Sequence, residues 1–197
     1  KYQSYRNKMR IICCRFGDKF TDWHIDNLKH MIDNYSGLKY DSFEIIENDL
    51  YGNWFNKLQM YDRFRDGENL YFDLDVVIFN KLPKLTRKYF TLLDDTWWRE
   101  PAHTPLNSSI VSWTGDVSYI WDKFKKDDTH YIETYTKGSD EWYYKNIKYE
   151  TYDKVCPSIK DYLYEKPKDF SICTLGQMHH LQEKGWSGWY SDYFIQR

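Results

Sequence analysis

The sequence predicts an α/β protein with a single domain spanning residues 1–197, and three observations carry that expectation. Residues 70–79, LYFDLDVVIF, are apolar or aromatic apart from two aspartates, the composition of a strand covered on both faces. Residues 9–14, MRIICC, read as another buried strand running into a Gly/Asp loop and an amphipathic helix. Ligands of α/β sheets collect beyond the carboxyl ends of strands that open in this way. Finally, 197 residues suffice for one large core.

In order along the chain, strand 9–14 is followed by the loop RFGDKF. Thr21 is a fitting helix cap, and Trp23, Leu28, Met31 and Ile32 form an apolar stripe that Ser36 and Gly37 end. FEII, residues 43–46, reads as a strand. WFNKLQMYDRF, residues 54–64, places Trp54, Leu58, Tyr61 and Phe64 near helical spacing. The turn RDGEN leads into the long strand 70–79, after which Pro83 argues against a continuing strand. YFTLL (89–93) and IVSW (110–113) read as strands on either side of a loop-forming, aromatic segment. VSYIWDKF is a helical pattern, Gly138 breaks the segment after it, and Ser139-Asp140-Glu141 forms an acidic helix start. Beyond Tyr149 the signals weaken to a short helix in PSIKDYLY and a last strand in FSICTL.

Composition narrows the function classes. Lys plus Arg number 28 and Asp plus Glu 30, a net charge of −2 that gives no support for a nucleic-acid partner held by bulk positive charge. No apolar run reaches a bilayer span, so no transmembrane segment is expected, and the first ten residues lack a signal-peptide core. The four cysteines form no CxxC pair and no disulfide framework, as in a chain of the reducing cytoplasm. Of the nineteen Tyr, nine Trp and eleven Phe, part belongs to the core, and so many amphipathic rings also suit a surface that stacks on sugars or bases. Neither GxGxxG nor GxxxxGK[ST] occurs, so any phosphate is held in another way.

Asp73 and Asp75 stand at i and i+2 inside the long strand, on one face, where they repel each other unless a cation or strongly polar ligand lies between them. They read as a cation site at the end of a core strand. The alternative is a strand that ends early with both side chains in water. Lys57 lies in the first turn of its helix and is either a solvated lysine or a phosphate contact. Of the adjacent His179 and His180, at most one faces a given metal.

LYFDLDVVIFNKL followed by PLNSSIVSW, with WFNKLQMY upstream and KGSDEWY downstream, resembles the nucleotide-sugar-dependent glycosyltransferases of the GT-A fold. The nearest group is family 8, the glycogenin and bacterial lipopolysaccharide galactosyltransferase type. The likeness runs from about Met9 to Trp142. It implies a mixed central sheet flanked by helices. It also implies metal-dependent transfer of a hexosyl unit from a nucleotide diphosphate sugar, a UDP-sugar, to a hydroxyl of a carbohydrate or glycan acceptor, with retention of configuration.

By this resemblance Asp73 and Asp75 match the DxD motif and bind Mn²⁺ or Mg²⁺, cations suited by hard oxygen ligands, with Asp73 also at the ribose. Arg15, Phe16, Gly17 and Asp18 match the loop lining the nucleotide, and Lys57 the basic residue directed at donor phosphate or sugar. Asn107 and Ser108 match the element contacting the donor sugar, with Ser109 in place of its usual glycine. Asp140 and Glu141 are the candidates for acceptor-side chemistry, Asp140 standing where the family has glutamine. His179 is the candidate third metal ligand. Two other classes compete: a nucleotidyltransferase with paired carboxylates, and a carbohydrate-binding module without catalysis.

Overall fold

The computed structural model describes residues 8–96, 104–176 and 188–196. Strands β1 (Met9–Cys14), β2 (Ser42–Ile46), β3 (Glu68–Phe72), β5 (Thr91–Asp94), β6 (Leu106–Thr114) and β7 (Glu150–Tyr152) form a six-stranded sheet in the order β2-β1-β3-β6-β5-β7. β1 runs parallel to β2 and β3, whereas β6 runs antiparallel to β3 and β5. The sheet is therefore mixed, with helices on both faces, as the resemblance implies. β4 (Val76–Ile78) and β8 (Ile172–Thr174) make a separate antiparallel pair.

Alternation along the strands divides the core into two layers. Ile11 and Cys13 of β1, with Leu70 and Phe72 of β3, face helix α1 (Asp22–Met31) and the β4/β8 ribbon. Ile12, Cys14, Tyr71, Val111 and Trp113 face the other way. There they meet Phe55, Leu58 and Tyr61 from residues 54–63 and the helices α3 (Tyr119–Lys125) and α5 (Ser139–Asn146). α4 (Asp128–Thr134) follows α3 on the outside. Much of the aromatic excess is core: Trp113, Trp142, Tyr61, Tyr71 and Tyr143 are fully buried, and the Tyr61 and Tyr143 hydroxyls bond each other at 2.8 Å. Among the described residues no helix is long and apolar enough to cross a membrane.

Three expectations are corrected. LYFDLDVVIF is not one strand: β3 ends at Phe72, Asp73-Leu74-Asp75 turn out of the sheet, and β4 pairs elsewhere. Two carboxylates on one face of a covered strand would press into the apolar layer packed there without compensation, and the chain leaves the sheet where they stand. Residues 54–64 begin as a 3₁₀ helix (Trp54–Leu58) before turning α-helical over Gln59–Arg63, here α2. Asn107 and Ser108 belong to β6, which starts earlier than IVSW because its first residues pair with Leu93 and Asp94. The acidic helix start at Ser139-Asp140-Glu141 stands as expected: α5 begins at Ser139, with Gly138, at φ +99°, as its N-cap. β7 carried no clear sequence signal, and its parallel pairing with β5 supplies what its three residues lack locally.

Gly67 turns the chain into β3 at φ +71°, and a Cβ there would lie 2.3 Å from the Lys8 carbonyl oxygen. Gly67→Ala is expected to cost about 3 kcal/mol, read as a fall of roughly 5–10 °C in Tm. Gly17→Ala, at φ +56° with open space around it, costs only about 1 kcal/mol. Equal losses in thermal melts would overturn this account.

Candidate functional site

Because β6 is antiparallel to β3, its first residues lie at the edge where β1 and β3 end. The loop after β1, the turn after β3 and the start of β6 therefore meet there. Phe72 pairs with Ile110, and Asp73 N–H extends the ladder to the Ser109 carbonyl at 2.9 Å. Between β5 and β6 the register jumps: Leu92 opposes Val111 but Leu93 opposes Asn107. A bulge of this kind disrupts a ladder and re-aims side chains, and here it releases Ser108 and Ser109 toward a cavity of about 450 Å³.

Lys57 is the centre of the site. Although it is buried, its Nζ donates to Asp73 Oδ1 at 2.8 Å, Ser108 Oγ at 3.0 Å and the Ser108 carbonyl at 3.3 Å. Burial alone would push its pKa down, but the charges of Asp73 and Asp140 and the bond to Asp73 outweigh that and hold it above the usual lysine value. The Tyr71 hydroxyl donates to the same Asp73 oxygen at 2.5 Å, while Nζ lies 4.9 Å from the Tyr71 ring centre. Ser108 donates through its N–H at 3.2 Å and through its hydroxyl to Asp140 Oδ1. Thus β3, β6, α5 and the 3₁₀ turn are tied together by one ammonium group and its acceptors.

Asp75 also lines the cavity and is only 5% exposed. Burial, then the neighbouring charge of Asp73, pushes its pKa up to about 7 against the opposing charges of Lys19 and Lys57. Its carbonyl accepts from Leu175 N–H at 2.7 Å, which fixes the end of β8 beside the turn. Ser109 Oγ lies 3.3 Å from Thr174 Oγ1 across the same junction.

The structure brings Lys57, Asp73, Asp75, Asn107, Ser108, Asp140 and Phe16 to this cavity. Arg15, Gly17, Asp18 and Glu141 are not among its lining residues. The Arg15 guanidinium pairs with Asp22 and Glu47, and Gly17 N–H donates to Asp49 at 2.9 Å. These bonds make Arg15 and Gly17 braces of the β1 loop. His179 lies outside the described residues. Among those described, no group of three or more His, Cys, Asp and Glu gathers as a ligand set.

Sequence reasoning missed Tyr71, which the i, i+2 rule places on the face of Asp73. It also missed Lys19, Lys137 and the wall formed by Ser158, Lys160 and Thr174, which is contributed by distant segments and carries no local signal.

No protein-family model matches the chain, and no curated protein matches it. Solved structures do. A glycosyltransferase involved in glycosylation of the major capsid of PBCV-1 superimposes with a TM-score of 0.56 at 13% identity, over 89% of this chain and 98% of that one. The glycosyltransferase GlyE of Streptococcus pneumoniae TIGR4 gives 0.62 at 14% identity, over 97% of this chain and 61% of that one, so this chain spans less than two thirds of GlyE. The galactosyltransferase LgtC, in complex with donor and acceptor sugar analogues, gives 0.56 at 10% identity over 84% and 86%. The chain has the GT-A fold. At these identities the likeness concerns the fold, and function is argued from the site.

Two outcomes are expected. Lys57→Met removes the cation beside Asp73 and Asp140 and costs about 3 kcal/mol in urea melts, whereas Lys57→Met combined with Asp73→Asn costs less than the sum of the single changes. Strict additivity would remove Lys57 from its central place. In chelator-treated protein, the folded pKa of Asp75 near 7 exceeds its ordinary 3.8. Its contribution is therefore fully present below about pH 4 and is lost as pH rises through 7. Asp75→Asn is then more stable than wild type at pH 8 by several degrees in Tm and no more stable at pH 4. A difference independent of pH would refute the assignment.

Proposed function

We propose that the protein is a glycosyltransferase of the family 8 type that moves a hexosyl unit from a UDP-sugar to a carbohydrate hydroxyl, with retention of configuration. The observation that carries this reading is the convergence of the Lys57–Asp73 pair, Asp75, Ser108 and Asp140 in one cavity at the carboxyl ends of β1 and β3. Solved structures sharing the fold are named as glycosyltransferases, and one of them holds donor and acceptor sugar analogues.

The residues fit a divalent cation. Asp73 and Asp75 offer hard oxygen donors, neither bond to Asp73 Oδ1 occupies Oδ2, and a dication would offset both the burial that chiefly raises the Asp75 pKa and the Asp73 charge that adds to it. These two residues would hold Mn²⁺ or Mg²⁺, with His179 as the proposed third ligand. Such a cation neutralises charge on a departing diphosphate.

The chain's own residues do the rest. In the transfer, the bond between the anomeric carbon and the diphosphate oxygen breaks, leaving its electron pair on the diphosphate. A bond to the acceptor oxygen forms. Lys57 is held charged and close to that leaving group, so its charge is in place before reaction. Ser108 orients Asp140 by two bonds, and Asp140 receives the acceptor proton. Glu141, outside the cavity lining, is the lesser candidate. Phe16 offers its ring to the nucleobase. All four cysteines are buried and unpaired, in keeping with the cytoplasm.

A thermal-shift series tests the donor and metal assignments. UDP with Mn²⁺ is expected to raise Tm by several degrees, UDP with chelator by far less, and the Mn²⁺-dependent increment is expected to vanish in Asp75→Ala. An increment that survives in Asp75→Ala sinks the metal site, and none with any nucleotide diphosphate sinks the donor assignment.

A further inference from the structure

Trp54 belongs by sequence pattern to an apolar stripe, yet it is 51% exposed, the one exposed tryptophan among the described residues, and it lines the cavity. In a 3₁₀ helix residues i and i+3 eclipse, about 6 Å apart along the axis. Trp54 therefore stands one turn outward from Lys57 on the same helix face. Its ring rests on Gly138, where a Cβ would lie 3.5 Å from Trp54 Cε3 and 3.6 Å from Cδ2. Gly138, at φ +99°, is the N-cap of the helix that carries Ser139 and Asp140. The indole is thus seated on backbone on one side and half open on the other, beside the carboxylate assigned above to the acceptor.

Resting on the proposed transferase reading, we propose that Trp54, seated on Gly138 and flanked by Lys137 and Asp140, is the platform on which the pyranose ring of the acceptor stacks. The electron-rich face of an indole attracts the polarised C–H face of a pyranose. The surroundings favour that ligand class. Lys57, Ser108, Ser139 and Asp140 line the same cavity as Trp54, and a wholly apolar acceptor would desolvate them without replacing their hydrogen bonds. A pyranose offers an apolar face to Trp54 and hydroxyls to its neighbours. A nucleobase also combines a flat face with polar edges, and the experiment separates the two.

Full-length protein labelled with 5-fluorotryptophan is followed by ¹⁹F NMR, the Trp54 resonance being assigned by its loss in Trp54→Phe. Methyl β-D-galactopyranoside, methyl α-D-glucopyranoside and lactose are titrated with and without UDP and Mn²⁺. Saturable movement of the Trp54 resonance by at least one of these sugars is expected. Using that sugar as acceptor, Trp54→Ala raises its KM about tenfold and Trp54→Tyr restores it. If UDP with Mn²⁺ stabilises the protein but none of the sugars moves Trp54, or if UDP alone moves it and blocks the sugar, the platform assignment is overturned. If a sugar moves Trp54 while no nucleotide diphosphate stabilises the protein, the platform stands and the transferase reading falls.

Discussion

The buried ammonium of Lys57 is the constraint on which the rest of the site depends. A lysine enclosed to this degree stays charged only if acceptors surround it, and its acceptors come from separate parts of the chain: Asp73 after β3, Ser108 in the bulged start of β6 and, through Ser108, Asp140 at the head of α5. Satisfying one charge therefore fixes the relative positions of three elements. The 3₁₀ turn serves the same end, because its tighter winding brings Lys57 inward while Phe55 and Leu58 remain in the core.

The break in the central strand follows from the same electrostatics. A continuous strand from Leu70 to Phe79 would have kept Asp73 and Asp75 together on one covered face of the sheet. Instead Asp73 makes a last ladder bond to Ser109, and the chain turns at Leu74 toward β8. The two aspartates thereby acquire different characters. Asp73 is satisfied by Lys57 and Tyr71, whereas Asp75 is buried beside a like charge and resists ionisation. That imbalance arises because Lys57 and Tyr71 bond Asp73 while Asp75 keeps its carboxyl inside the cavity wall.

Much of the fold was legible because it is written in short-range patterns. The buried-strand run in MRIICC, the stripe from Trp23 to Ile32 ended by Gly37, and the break at Gly138 each reflect local geometry that any tertiary context must respect. β7 was not legible, since three residues can be a strand only when a partner supplies the pairing. The bonding of Arg15 and Gly17 was not legible for a similar reason. Their partners Asp22, Glu47 and Asp49 turn them into braces of the β1 loop, and such pairings depend on how the loop after β2 folds back.

By itself, the sequence determined the α/β class, the order of the principal elements, and the residue types able to do chemistry: paired carboxylates, a lysine one helix before them, and a serine and an acid after them. The class, the element order and the paired carboxylates depend on periodicity and on the cost of charge in an apolar run, both local quantities, whereas the lysine, the serine and the acid were singled out by the family resemblance. Only the tertiary structure decided which of those residues meet. The antiparallel insertion of β6 beside β3, the bulge opposite Leu92 and the burial of Lys57 brought Ser108 and Asp140 to Asp73 and left Glu141 outside. Trp54 was decided in the same way: its pattern says core, and only the seat provided by Gly138, far along the chain, sets its ring at the cavity's edge.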